Sequence, residues 1–182
     1  MNFVPKQLFF TKGVGKSKEK LQSFEMALRN AKIAQYNLVR VSSILPPGAK
    51  IVTDKQGLKE LSPGQITFVV LADIATNEPN RLIAASVGIA QPSDKKRYGY
   101  LSEHHCFGLT DKAAGDYAED LAASMLASTY GFDMESDIKY DEKSEIWKIN
   151  NVKVLTRNIT QSAIGDKKGL WTTVVAAAVL IM

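Results

Sequence analysis

The sequence predicts an α+β protein, a single domain built as a four-layer α/β/β/α sandwich. Three observations carry this. Two segments, Lys18 to Ala31 and Asp111 to Thr129, repeat apolar residues at helical spacing on one face. Around them lie short runs of β-branched and aromatic residues, bounded by turn residues. The 182 residues are enough for one domain with a real core and too few for two full-sized ones. A helix with one apolar face covers a sheet, so two such helices suit two packed sheets with a helix layer outside each.

Taken in order, Gln7 to Thr11 reads as a short strand and Gly13-Val-Gly15 as the turn after it. The string Gly13-Val-Gly-Lys-Ser17 resembles the end of a phosphate-binding loop, but Phe10 stands where the pattern needs its first glycine. A glycine-rich turn is the favoured reading. Ser17 or a neighbour caps the first helix, whose apolar face holds Leu21, Phe24, Leu28 and Ala31, with Glu25 at its edge. A solvated carboxylate is the ordinary reading of Glu25.

Asn37-Leu-Val-Arg-Val-Ser-Ser-Ile-Leu-Pro-Pro47 follows. It begins as a strand, sets two hydroxyls at the strand's end and stops on two prolines that lack backbone donors. Ser42-Ser43 is either a turn or a peptide bond built to break. Ala49 to Lys55 is strand-like, Gly57 to Gly64 a loop, and Ile66 to Ala72 a central strand. Leu82 to Ala90 is a buried strand whose small residues call for a close neighbour. Pro92 to Arg97 is a polar loop, and Tyr98 to Gly108 is strand-like.

That last segment gathers Glu103, His104, His105 and Cys106. Adjacent strand residues face opposite ways, and the chain holds no other His or Cys, so no metal is expected. Glu103 is either an exposed strand carboxylate or, among apolar and aromatic neighbours, an acid of raised pKa able to donate a proton near neutrality.

Thr110 caps the second helix, with Ala114, Tyr117, Ala118, Leu121, Ala122, Met125 and Leu126 as its stripe and Gly131 as its stop. Asp141 to Ser144 reads as a turn, Ile146 to Leu155 as an alternating strand, Asp166 to Gly169 as a turn and Leu170 to Met182 as the last strand. No repeat, low-complexity segment or linker interrupts the chain.

Formal charge is 23 − 19 = +4, with the basic residues spread rather than massed in a patch, which argues against nucleic acid as a partner. No apolar run is long enough to span a bilayer or to serve as a signal peptide. A lone cysteine, Cys106, suits a reducing compartment, so a cytoplasmic protein without a membrane partner is expected.

Phe24-Glu-Met-Ala-Leu28, Asn37 to Pro47 and Gly99-Tyr-Leu-Ser-Glu103 together resemble the pyruvoyl-dependent arginine decarboxylases. The small-residue strand at Ala84 to Ala90 and the Ala-rich last strand also look like theirs, and the resemblance runs along nearly the whole chain. It implies the same four-layer sandwich, assembled as a homotrimer or a dimer of trimers with active sites between subunits.

It also gives Ser42-Ser43 a chemistry. Ser43 Oγ attacks the carbonyl of Ser42, and elimination of the resulting ester leaves dehydroalanine at position 43. Hydration and loss of ammonia then leave a covalent pyruvoyl group. The small chain is 1–42 and the large chain 43–182. The group needs neither metal nor pyridoxal phosphate. It holds the substrate as a Schiff base and takes up electrons as carbon dioxide leaves. L-arginine becomes agmatine, which connects the reaction to polyamine metabolism.

By the same resemblance Glu103 is the proton donor, and Asn37 aids processing or holds the substrate carboxylate. Ser42 supplies a hydroxyl and a new terminal carboxylate. Glu25 binds the guanidinium, while Leu21 and Leu28 line its aliphatic stem. The family position carries Asp where this chain has Glu25, a longer arm that keeps the charge and moves it. Three other readings stand beside this one. They are a pyruvoyl decarboxylase of another amino acid, an uncleaved non-enzymatic binding protein of the same fold, and a phosphate-binding protein using Gly13 to Ser17.

Overall fold

Strand β11 (Trp171–Ile181) shows why this chain builds layers: both of its faces are buried. Val174, Ala176 and Ala178 face one core, while Val175, Ala177 and Val179 face another. A strand covered on both sides reads as a continuous apolar run, with no polar alternation. The computed structural model describes the backbone of residues 3–131, 138–141, 146–149 and 152–182, and the side chains of 3–131 and 153–182.

Before β11 come β1 (Gln7–Ser17), α1 (Lys20–Asn30), β2 (Asn37–Arg40), β3 (Ile44–Leu45), β4 (Lys50–Ile51) and α2 (Asp54–Gly57). A short 3-10 turn at Leu58–Glu60 leads to β5 (Ile66–Thr76), β6 (Leu82–Pro92), β7 (Gly99–Phe107) and α3 (Asp111–Ser128). Then follow β8 (Ile138–Asp141), β9 (Ile146–Ile149) and β10 (Val152–Ile164). The first sheet runs β2-β5-β11-β1-β4 and the second β3-β7-β6-β10-β9-β8.

Leu8, Val70, Ala72, Val174 and Ala176 of the first sheet meet Ile83, Val87, Ile89 and Leu101 of the second in a central core. Phe9, Val69, Leu71 and Val175 form the outer face of the first sheet and pack against Ala27, Leu28 and Ala31 on and just after α1. Ala90 and Val154 meet Ala122, Ala123, Leu126 and Ala127 of α3 across the outer face of the second. The layers are α1, first sheet, second sheet and α3, the sandwich expected.

Several elements differ from expectation. Gly13 and Gly15 are not a turn; β1 runs straight through them. A Cβ on Gly13 would stand 2.2 Å from the Ala27 carbonyl oxygen, and one on Gly15 2.2 Å from that of Ser23. The glycines let α1 lie directly on the strand. In the same way Gly88 lets β6 approach α3, where an added Cβ would meet the Ala118 oxygen at 2.2 Å.

The helix faces are turned toward small residues. In α1 the buried side chains are Ser23, Ala27 and Leu28, and Leu21 is 79% exposed. In α3 they are Gly115, Leu126 and every alanine but Ala113, and Tyr117 is 53% exposed. Close packing selects the narrow side of each helix, not its most apolar one. Ala49 to Lys55 is mostly not strand: Thr53 and Gln56 form a reciprocal capping box that starts α2. Ile146 to Leu155 is not one strand: β9 and the start of β10 pair antiparallel, Val152 with Ile149 and Leu155 with Ile146. Of the expected turn at Asp141 to Ser144, residues 142–144 lie outside the described residues.

Candidate active site

Ser42 and Ser43 lie where the chain leaves one sheet for the other. β2 is the edge strand of the first sheet and β3 of the second. β2 runs parallel to β5 with Arg40 opposite Val69, and the Val41 N–H donates to the Val69 carbonyl at 3.0 Å. β3 runs antiparallel to β7 with Ile44 opposite Tyr100, and the Leu101 N–H donates to the Ser43 carbonyl at 2.7 Å. The Ser42–Ser43 peptide is thus anchored to the first sheet just before it and to the second just after it. Ser42 is exposed and Ser43 half-buried. Ser42 also lines an open cavity of about 500 Å³ with Phe3, Ile44, Pro46 and Phe68.

Glu103 stands close by, two residues beyond Leu101 on β7, about 7 Å along the strand. Leu101 points into the central core, so the period of two turns Glu103 toward the first sheet. Glu103 is an exposed residue, and partial desolvation of its carboxyl against the first sheet pushes its pKa above the ordinary value of 4.5. The Arg40 guanidinium and the Leu71 backbone amide pull the other way, Asp73 adds to the rise, and His105 lowers it weakly. Arg40 is itself ion-paired with Asp73. The outcome is a carboxyl that holds its proton more firmly than a free one beside the Ser42–Ser43 bond.

His104 faces the other way, against the Tyr117 ring at 4.4 Å between centroids. Its Nε2 is buried without a hydrogen-bond partner, and burial lowers its pKa. Cys106 shares that face with its pKa raised by burial. No cluster of three metal-ligating side chains occurs among the described residues.

The remaining candidates lie elsewhere in the protomer. Glu25, on α1, pairs with Arg29 at 3.0 Å and lines an open hollow of about 420 Å³ with Arg29, Lys32, Ala34 and Gln35. Asn37, at the start of β2, donates through Nδ2 to the Gly64 carbonyl at 2.7 Å. It lies at the opposite end of β2 from the crossover that carries Ser43. Leu21 is exposed on α1, whereas Leu28, 8% exposed, belongs to the core beneath that helix. The protomer therefore brings Ser42, Ser43 and Glu103 together and keeps Glu25 and Asn37 apart from them. Arg40 and Asp73 join the first group although sequence reasoning singled out neither. Arg40 lay inside the quoted motif, and its side-chain direction depends on where β2 ends.

With this geometry in view, residues 7–182 match the family model described as pyruvoyl-dependent arginine decarboxylase. The chain belongs to that family. A Nitrosopumilus maritimus protein named "Pyruvoyl-dependent arginine decarboxylase" is 54% identical over 182 residues, covering 100% of both chains. A Chloroherpeton thalassium protein, "Probable pyruvoyl-dependent arginine decarboxylase", is 58% identical over 181 residues and again covers 100% of each. "Pyruvoyl-dependent arginine decarboxylase 2" of Methanosarcina acetivorans is 52% identical over 178 residues, 98% of this chain and 97% of its own. The family is one of carbon–carbon lyases, so the resemblance read from three sequence segments is borne out.

Proposed function

We propose that the chain cleaves itself between Ser42 and Ser43 and then decarboxylates L-arginine to agmatine and carbon dioxide. The observation that carries this reading is the Ser42–Ser43 peptide, anchored to both sheets, with Glu103, whose pKa is raised by desolvation, two residues beyond its anchor on β7. The residues fit a pyruvoyl group made from Ser43. A hydroxyl is present at a half-buried crossover whose neighbouring backbone is fixed on each side, next to an open cavity.

In the cleavage, the Ser43 hydroxyl loses its proton and Oγ attacks the Ser42 carbonyl carbon, so the C–N amide bond gives way to a C–O ester. Loss of the Ser43 α-proton expels the Ser42 carboxylate and leaves a carbon–carbon double bond at position 43. Water addition and release of ammonia complete the conversion. Fixed anchors on each side keep the attacking oxygen near the carbonyl, an advantage of proximity. Once formed, the group supplies an electron sink for the bond that breaks when carbon dioxide leaves.

The other roles fall to side chains. Glu103 returns a proton to the substrate α-carbon, and the desolvation that raises its pKa favours that task. The carboxylate of Glu25 receives the guanidinium, in competition with Arg29, which holds it here. Leu21 offers an exposed apolar surface to the methylene stem, while Leu28 braces the helix from below. Asn37 and the Ser42 hydroxyl and carboxylate complete the polar contacts. Because Glu25 and Asn37 stand apart from Ser43 in one protomer, the reading includes a trimer, or a dimer of trimers, that joins the two groups across subunits. A cytoplasmic location agrees with the single cysteine. Among the described residues no helix is long and apolar enough to cross a membrane.

Intact-mass measurement of the purified protein tests the first claim. Two fragments meeting at Ser42/Ser43, the larger blocked to N-terminal sequencing, are expected, and Ser43→Ala should remain one chain of 20.0 kDa. A wild-type chain that stays uncut would overturn the reading. Borohydride trapping of labelled arginine on the large fragment tests the substrate. Trapping of another amino acid in its place would favour a different decarboxylase of the same type.

A further inference from the structure

Arg29, Arg40, Arg81 and Arg97 each pair with a carboxylate, whereas Arg157 has no such partner among the described residues. Arg157 lies on β10 opposite Ile89, which faces the central core, so it stands on the inner face of the second sheet. Between it and β4, the short edge strand of the first sheet, lies an open cavity of about 520 Å³. Gln91 of the second sheet joins its walls by donating through Nε2 to the Ala49 carbonyl at 3.3 Å. The ionisable residues that line this cavity are Lys50, Lys95 and Arg157, all cations. The adjoining cavities share Lys50 on one side and Lys95 on the other, and they add Lys6 and Lys153 but no acid. None of these four lysines pairs with a carboxylate among the described residues.

We propose that this trough binds a small organic phosphate, a molecule carrying two or more phosphate groups on an apolar body. A concave surface lined by charge of one sign focuses its field and concentrates counter-ions. The Arg157 fork suits two oxygens of one phosphate, and the lysines act as point charges on its neighbours. A single inorganic phosphate would leave most of the space unfilled, since the cavity has the volume of a small-molecule site. Ile51 and Leu155 line it with apolar surface for the rest of the molecule. The cations stand at positions 6, 50, 95, 153 and 157, so they are scattered along the chain and gathered only by the fold. The phosphate-loop-like string does not compete, because its glycines are pressed against α1. The trough shares no residue with the cavity beside Glu25, and its charge repels arginine.

Isothermal titration calorimetry of the full-length protein at fixed ionic strength, with pyrophosphate and ADP as probes, tests the proposal. The wild type should bind both, ADP the more tightly because its body covers Ile51 and Leu155. Arg157→Gln should weaken both by about tenfold or more, the worth of hydrogen bonds to a charged group. Arg157→Lys keeps the charge without the fork and should fall between. Lys95→Gln, at an exposed loop position, should also weaken both, and it guards against a folding defect in Arg157→Gln. Lys112→Gln removes one charge from α3, where Lys112 pairs with Asp116, and should bind as wild type does. Absence of binding in the wild type would overturn the proposal. So would equal losses in Lys112→Gln and Arg157→Gln, which would reduce the effect to net charge. Pyrophosphate bound as tightly as ADP would leave a site for inorganic anions only. Binding of a single-stranded RNA with both small probes silent would make the trough a nucleic-acid surface instead.

Discussion

Glu103 works against the stability of the fold that places it. Partial desolvation raises its pKa above 4.5 despite the nearby guanidinium. A carboxyl with a raised folded pKa binds more protons in the native than in the unfolded state at intermediate pH. Stability is therefore lost as pH rises from the unfolded pKa through the folded one, and the loss persists at neutrality. Glu103→Gln removes the ionisation and should raise the thermal midpoint at pH 7, with the gain vanishing below about pH 4, where the wild-type carboxyl is protonated in both states. The same variant should lower the decarboxylation rate by about 10²–10⁴-fold, the usual worth of a general acid. A variant that lost activity and stability together would mark Glu103 as structural. Ser42, Ser43 and Glu103 were singled out as candidates from residue type and motif. The Arg40–Asp73 pair was not, because the direction of the Arg40 side chain depends on where β2 ends, which strand propensity does not resolve.

The elements were legible where burial follows periodicity and illegible where close approach replaces it. β5 and β11 read as apolar runs because layers cover both of their faces. β1 was cut short at Gly13 because glycine ordinarily marks a turn. Here it marks contact with a helix, and no local signal separates the two. The exposure of Leu21, expected on the apolar face, has the same origin: once α1 rests on glycines, small side chains such as Ala27 face inward. Gly15→Ala tests this. Its Cβ would meet the backbone of Ser23 and Ala27, which cannot rotate aside, so α1 must lift. Overpacking of this kind costs about 1–3 kcal/mol, read as a lower urea midpoint at unchanged slope. α1 also carries Glu25, so KM for arginine should rise while the extent of self-cleavage at Ser42/Ser43 stays as in wild type. Equal stability would show that the strand and helix have slack between them.

At the scale of the whole molecule, the four layers place the two halves of the candidate site on different surfaces. α1 covers the outer face of the first sheet, whereas the crossover and Glu103 lie at the sheets' shared edge, and the cavities beside Glu25 and Ser42 have no residue in common. Glu25 and Ser42 open onto different cavities, so no single hollow of one protomer serves both a guanidinium at Glu25 and an α-carbon at Ser43. An oligomer that sets one copy's α1 against another's crossover removes the difficulty. The exposed apolar residues Phe3, Val39, Ile44 and Ile66 are suited to such a contact. Complementation decides between these. Glu25→Gln and Ser43→Ala each remove one half of the site and should be nearly inactive alone. Co-expressed, they should form mixed oligomers in which an intact Ser43 of one chain can face an intact Glu25 of another. Activity should then return to a substantial fraction of wild type, in step with the proportion of mixed species seen by native mass spectrometry. Mixed oligomers without recovered turnover would place both halves in one chain and require α1 to move toward the crossover when arginine binds.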